Sequence, residues 1–81
     1  MPNPKLEEVI AIQKRWEKTW LAQPGVTGVD VGYRLVAGQP TDVPAIRVYV
    51  SSKVSAPREI LALKEVEGTP VDVIERSFEP Q

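Results

Sequence analysis

Hydrophobic residues recur at helical spacing in the first part of the chain. At about 100° per residue they form one apolar stripe, and the charged residues lie on the opposite side. The stripe consists of Leu6, Val9, Ile12, Trp16 and Trp20, with Ile10 at its margin. The pattern predicts a helix from Asn3 to Ala22, with Asn3 as the N-cap and Pro4 in the first turn. Pro24-Gly25 ends this helix, and we expect the two tryptophans of the stripe to lie in the core.

After Pro24 the hydrophobic period changes from the helical value to two. Between Val26 and Val36 apolar residues alternate with polar residues and glycines, as in a strand with one face on a core. Val43 to Val50 alternates in the same way, and Ala37 to Asp42 has the composition of a loop. Two such strands predict an antiparallel hairpin. Its apolar face, which we expect against the helix, carries Val29, Val31, Tyr33, Leu35, Ile46, Val48 and Val50.

The remainder of the chain predicts a short helix and one more strand. Pro57 opens a helical segment, and residues 57–66 are compatible with helix or with extended structure. Glu67 to Pro70 has the composition of a turn, and Val71 to Ser77 is rich in β-formers. Phe78 is the last apolar anchor.

These elements predict a single small α+β domain over residues 1–81. We expect two layers, with the N-terminal helix and a short second helix on a three-stranded, largely antiparallel sheet. The order also matches a ferredoxin-like βαββαβ unit that lacks its first strand. A chain of 81 residues buries only about 60% of the surface that its unfolded form exposes. Because no cysteine is present to form a disulfide, we expect a homo-oligomer to supply stability.

The composition excludes several kinds of chemistry. The chain contains no histidine and no cysteine, which removes zinc-finger ligand sets and Ser-His-Asp or Cys-His catalytic arrangements. We therefore expect no catalytic residue, no metal and no cofactor. The formal net charge of −1 gives no long-range field toward nucleic acid or a membrane surface. We expect a cytoplasmic protein of bacterial type that binds neither.

Two groups of side chains are nevertheless of types that act in catalysis in other proteins. A serine–lysine pair is available within Ser51, Ser52, Lys53 and Ser55, but in a polar connector where the lysine stays solvated and protonated. Candidates for acid–base catalysis or for a hard cation are Asp30, Asp42, Asp72, Glu75 and Glu79. These carboxylates lack the spacing of a calcium loop. Asp30 and Asp72 alternate with apolar residues, so we expect both to face solvent.

The polar side of the predicted sheet carries a candidate interaction face that consists of Arg34, Arg47, Tyr49 and Arg76. Arginine beside an aromatic side chain is how sheets bind single-stranded bases. Asp30 and Asp72 fall in the same region, and their charges favour cross-strand ion pairs over nucleic-acid binding. Gly28 and Gly32 lie there too, where they allow a bulge or a close approach by another chain.

Several segments between residues 24 and 75 together resemble a known module. The segments are Pro24 to Arg34, Gly38 with Pro40-Thr41, Ala45 to Val50 with Lys53, and Gly68 to Glu75. They are similar to the N-terminal module that precedes the catalytic domain of bacterial trypsin-like peptidases, and to related small free-standing bacterial proteins. No catalytic residue is carried over, because the catalytic domain has no counterpart in this sequence. The resemblance implies a module that folds beside another protein or interacts with it.

The sequence therefore favours contact over catalysis. The leading hypothesis is a non-enzymatic module that self-associates or binds another protein through the outer sheet face and its edges. A second hypothesis is a prosegment-like partner or regulator of a peptidase, with Ser77 to Gln81 lying along a cleft. A third is a carboxylate-based hydrolase that uses Asp30 or Asp72.

Overall fold

The computed structural model describes residues 5–76. Its elements are α1 (Leu6–Leu21), β1 (Val26–Val36), β2 (Gln39–Val50), α2 (Arg58–Leu61), β3 (Glu65–Val66) and β4 (Thr69–Glu75). Lys5, with an extended backbone, is the N-cap of α1, so the helix begins later than predicted. The predicted cap Asn3, the neighbouring Pro4 and the predicted anchor Phe78 lie outside the described residues.

The four strands form one mixed sheet in the order β1-β2-β4-β3. β1 and β2 are antiparallel, β2 and β4 are parallel, and β3 and β4 are antiparallel. The α+β class is confirmed, whereas the expected number of three strands was wrong. The additional strand has only two residues, Glu65–Val66, which is too short to produce a periodic pattern. β2 and β4 are direct neighbours, so no further strand separates them as in the split unit of ferredoxin-like folds.

The face of the sheet that carries the helices, the inner face, holds the core. Its buried cluster consists of Val9, Trp20, Ile46, Val48, Val50, Ala56, Ile60 and Val71. Members from α1 and α2 belong to the same cluster, which places both helices on this face. Trp20 is buried as predicted, and the half-buried Trp16 stacks on it with ring centroids 5.7 Å apart. Leu6, the first residue of the predicted stripe, remains exposed.

Both hairpins close with two-residue turns. Ala37-Gly38 joins β1 to β2 with φ values of 51° and 78°, and Glu67-Gly68 joins β3 to β4 with φ values of 48° and 78°. Two successive positive φ values are the signature of a type I′ turn. The predicted loop over residues 37–42 is therefore wrong, since β2 already begins at Gln39. Alanine gives no turn signal at a position where type I′ turns usually have asparagine, aspartate or glycine.

The β1–β2 hairpin is longer than the helix that covers it. The 11-residue strand measures about 36 Å and the 16-residue helix about 24 Å. The strand register shifts between Tyr33 and Leu35, and irregularities of this kind bend a hairpin. Leu35 N donates to Asp72 Oδ2 at 2.9 Å, which brings the distal end of β1 next to β4 although β2 lies between them in the sheet. Tyr33 and Leu35, which we expected against the helix, are 48% and 38% exposed.

Candidate functional site

The register of the sheet brings polar side chains together on the side away from the helices, the outer face. Asp30 of β1 is directly opposite Arg47 of β2. Arg47 Nε donates to Asp30 Oδ1 at 2.8 Å, and Arg47 Nη2 donates to Asp30 Oδ2 at 3.0 Å. Tyr49, two positions further along β2, donates its hydroxyl to Asp30 Oδ2 at 3.1 Å. The expected cross-strand ion pair is present, and its bidentate geometry fixes the carboxylate.

Glycine at position 32 makes room for this arginine. A Cβ atom on Gly32 would lie 2.5 Å from Arg47 Cζ, which is closer than a van der Waals contact allows. The guanidinium therefore lies across Gly32, and a side chain at this position would displace it from Asp30. The close approach that this glycine permits is made by a side chain of the same chain. The expected bulge lies beside the other glycine of the pair, where the register shifts between Val26 and Gly28.

Arg76 joins the group from the end of β4. Arg76 Cζ lies 4.9 Å from the centroid of the Tyr49 ring, and Arg47 Cζ lies 5.9 Å from it, so two guanidinium groups flank one aromatic ring. Arg47, Tyr49 and Arg76, three of the four residues of the candidate interaction face, are thus brought together. Arg34 lies apart from them. It is exposed on β1, and within residues 5–76 its guanidinium forms no salt bridge.

The pKa shifts on the outer face make neither Arg47 nor Tyr49 a base near neutral pH. The hydrogen bond to Asp30 raises the pKa of Arg47, which therefore stays charged. Burial raises the pKa of Tyr49, and its hydrogen bond to Asp30 raises that pKa further. Tyr49 is therefore a neutral hydrogen-bond donor, and neither side chain serves as a general base. The arrangement fixes the positions of the charged groups of Asp30 and Arg47.

The remaining candidate carboxylates are engaged with backbone amides or exposed. Asp72 accepts the bond from the distal end of β1, and Glu75 Oε2 accepts one from the backbone amide of Lys53 at 2.8 Å. Asp42 is exposed, and Glu79 lies outside the described residues. In the part of the chain that the structure describes, no carboxylates are grouped to hold a metal ion and no cavity is present. Across residues 5–76, no helix combines the length and the apolar composition needed to cross a membrane.

A second polar contact, which the sequence did not predict, joins α1 to the β3–β4 turn. Arg15 Nη1 forms an ion pair with Glu67 Oε1, and Trp16 Nε1 donates to Glu67 Oε2 at 2.8 Å. The hydrogen bond from Trp16, assisted by the bond from Arg15, lowers the pKa of Glu67. The sequence indicated only that the indole N–H of Trp16, at the edge of the core, needs a hydrogen-bond acceptor. The acceptor itself comes from a distant turn and leaves no local pattern.

The two ends of the sheet differ in what they offer to another chain. One end is the 11-residue strand β1, whose edge away from β2 has no partner strand among residues 5–76. The other end is the two-residue strand β3, which covers only the beginning of β4. The open edge of β1 and the outer face meet at Asp30, which is 47% exposed although it is held by Arg47.

Fold and site define a small α+β domain with one long open strand edge and an outer face organised around an ion pair. Residues 4–72 match the model of the family described as the NARROW LEAF 1 N-terminal domain. Because this match covers most of the chain, the protein belongs to that family. No curated protein and no solved structure matches the chain significantly.

The resemblance to the N-terminal module of bacterial trypsin-like peptidases is therefore wrong, since the family match over the same residues is to the NARROW LEAF 1 N-terminal domain. The segments that suggested it lie mainly in β1, β2 and β4 and in the two glycine turns. Alternating valines and turn glycines are what any hairpin requires, so they report local structure more than family.

Proposed function

We propose that this domain is a non-enzymatic self-association module whose contact surface is the open edge of β1. The observation that carries the proposal is the length of that edge, 11 residues, without a partner strand among residues 5–76. A row of unpaired backbone N–H and C=O groups is a template for another strand. Two backbone groups of β1 are already bound within the chain, since Gln13 Nε2 of α1 donates to Val29 O at 3.5 Å and Leu35 N donates to Asp72 Oδ2. Pairing of the segment between them with a second chain would satisfy its edge groups at little conformational cost, because the strand is already extended.

The sequence of β1 supports this proposal, because it lacks two of the residue types that usually protect an edge. Natural edge strands carry proline, lysine or a very short length to prevent pairing. β1 has neither proline nor lysine, whereas the interior strand β2 contains Pro40 and Pro44. The opposite end of the sheet is protected by length, since β3 has two residues. β1 carries charges only at Asp30 and Arg34, and its register with β2 is regular from Gly28 to Tyr33, so this segment is the part of the open edge that is available for pairing.

Exposed apolar side chains lie on the same strand. Tyr33, Leu35 and Val36 are 48%, 38% and 54% exposed. Neighbouring exposed apolar residues on one strand are a feature of contact surfaces more than of free ones. Association would cover them and would add apolar burial to a chain whose own core is small. The same surface thus serves the stability of the domain and its contact with a partner.

The catalytic hypotheses have less support. A hydrolase that uses Asp30 or Asp72 would need one of them free to exchange a proton. Asp30 is held by Arg47 and Tyr49, and Asp72 accepts a backbone hydrogen bond.

The peptidase-partner hypothesis drew on the resemblance that the family match overturns, and its tail, Ser77 to Gln81, lies outside the described residues. Cytoplasmic location and bacterial origin stay predictions.

The proposal predicts a concentration-dependent oligomer in sedimentation velocity at micromolar concentrations. Tyr33→Lys places a charge on the open edge and should shift the equilibrium toward monomer by about tenfold in the dissociation constant. Val54→Lys is the matched control, because Val54 is 96% exposed and lies outside the strands. This control should associate like the wild type. A wild-type protein that is strictly monomeric at these concentrations would overturn the proposal.

A further inference from the structure

We infer that β1 pairs in antiparallel orientation with β1 of a second copy, about a two-fold axis that passes through Gly32. The inference rests on the proposed self-association and specifies its register. An axis perpendicular to the sheet pairs each residue with the residue equally far on the other side of the axis, and it keeps the helices of both copies on the same side of a continuous sheet. The sequence of β1 selects one position for that axis.

With the axis at Gly32, Asp30 of each copy lies opposite Arg34 of the other. The strand carries only these two charged side chains, so the register creates two ion pairs and leaves no charge unmatched. Four further pairs are apolar on the inner face, since Val31 of each copy lies opposite Tyr33 of the other and Val29 lies opposite Leu35. The Val29–Leu35 pairs are contacts of side chains, because the backbone O of Val29 and the backbone N of Leu35 are already bound within the chain. The exposed ring and the exposed leucine each meet a valine, as cross-strand packing favours.

Neighbouring positions of the axis lose these pairs. An axis at Asp30 or at Arg34 places like charges directly opposite each other, which destabilises a strand pair. An axis at Val31 places both charged residues opposite glycines, and an axis at Tyr33 places them opposite a glycine and a valine. Charge complementarity therefore distinguishes the Gly32 register from its alternatives.

The Asp30 carboxylate is already held in one position within each copy. Its two carboxylate oxygens offer about four acceptor positions, and Arg47 and Tyr49 occupy three of them. The carboxylate is fixed in place, is 47% exposed, and keeps one acceptor position on Oδ1. Arg34 is exposed on the same strand without a salt bridge among residues 5–76. One partner is thus ordered in advance, which lowers the entropy cost of forming the pair.

The first test is the variant Arg34→Glu in sedimentation equilibrium. It replaces two attractive cross-strand pairs by two repulsive ones, so the dissociation constant should rise by at least about tenfold. Arg58→Glu makes the same charge change at an exposed position of α2 and should leave the dissociation constant unchanged. If the wild type associates and both variants associate equally well, the register is overturned while self-association stands. If the wild type is monomeric, both proposals fail.

The second test uses disulfide cross-linking, because the chain contains no cysteine of its own. A mixture of the Asp30→Cys and Arg34→Cys proteins should form a disulfide-linked heterodimer under mild oxidation. Either protein alone should cross-link much less, since equivalent residues at these positions lie about 13 Å apart along the strands, beyond disulfide reach. Cross-linking of one variant alone as efficient as that of the mixture would overturn the register.

A second pair of variants covers the case in which loss of Asp30 disturbs the fold. Gly28 and Val36 lie opposite each other about the same axis. A Cβ atom at Gly28 would contact the Tyr49 ring at an ordinary 3.5 Å, so the Gly28→Cys protein should fold. Its mixture with the Val36→Cys protein should cross-link more than either protein alone. Equal cross-linking in all three samples would again overturn the register.

Discussion

The two hairpins close with the same backbone turn but are held in different ways. In both turns the first residue is not glycine and has a left-handed conformation, Ala37 in one and Glu67 in the other. That conformation costs an ordinary residue about 1–2 kcal/mol. The methyl group of alanine offers no polar contact in return, whereas Glu67 binds both Arg15 and Trp16 of α1. The same strain is therefore offset by a tertiary contact in only one of the two turns.

The contacts along the hairpins differ as well. The β1–β2 hairpin is held on the outer face by the bidentate pair between Asp30 and Arg47. The β3–β4 hairpin has only two residues in its first strand, and Glu67 gives it a polar contact with the helix. A half-buried bidentate pair should contribute more to stability than an ion pair of exposed side chains. The polar contact of the first hairpin thus lies within the sheet, whereas that of the second joins the hairpin to α1.

The largest effect should follow from removing the outer-face arginine. Arg47→Ala should lower the free energy of unfolding by about 1–2 kcal/mol, because it breaks both hydrogen bonds to Asp30 and exposes Gly32. Arg15→Ala is the matched change in the second hairpin. Its side chain is 60% exposed, so the loss should be below about 1 kcal/mol. Urea unfolding at a concentration low enough to keep the protein monomeric measures both, and equal losses would contradict the comparison.

The sequence predicted the parts of this comparison that follow from periodicity. The helical stripe located α1, and alternation located β1 and most of β2, because each pattern reports which face meets the core. It did not predict the register, since register depends on the turn. A loop over residues 37–42 would have placed Asp30 opposite Tyr49, whereas the turn at Ala37-Gly38 and the irregularity beyond it place Asp30 opposite Arg47.

Contacts between distant segments were equally beyond the sequence. Nothing near Glu67 indicates that its carboxylate meets the indole of Trp16, because that meeting depends on how α1 lies on the sheet. The strand β3 is missed for a related reason. Its two residues acquire their extended structure from pairing with β4, and two residues carry no period of their own. The sequence therefore identified Arg47, Tyr49 and Arg76 as a group, with Arg34 wrongly among them. It placed Asp30 in the same region but did not predict that Asp30 binds both Arg47 and Tyr49.

An intermediate effect is expected from placing asparagine at the first position of each turn. Asparagine tolerates the left-handed conformation better than alanine, so Ala37→Asn should raise the free energy of unfolding by about 0.5–1 kcal/mol. Glu67→Asn gains the same backbone benefit but is too short to keep the bonds to Arg15 and Trp16, and we expect it to be destabilising. Thermal unfolding measures both effects. If the two substitutions shifted the stability in the same direction, the proposed difference between the two turns would be wrong.

The smallest effect should be the pH dependence of the second hairpin. The hydrogen bond from Trp16 holds the pKa of Glu67 below its ordinary 4.5, so folding favours the charged carboxylate. A depressed folded-state pKa contributes stability that is complete above the unfolded value and is lost as the pH falls through the folded value. Glu67→Gln removes this titration but leaves an oxygen that can accept from Trp16.

The stability difference between the wild type and Glu67→Gln should therefore be constant above about pH 5 and should shrink as the pH falls below 4.5. Urea unfolding of both proteins across that range measures the difference, and the other carboxylates cancel because they titrate equally in the two proteins. The same series on Ala37→Asn is the control. Its difference from the wild type should not change with pH, since its turn carries no titrating side chain. A Glu67→Gln difference that stays constant or grows toward low pH would show that the carboxylate does not join the second hairpin to α1 through its charge.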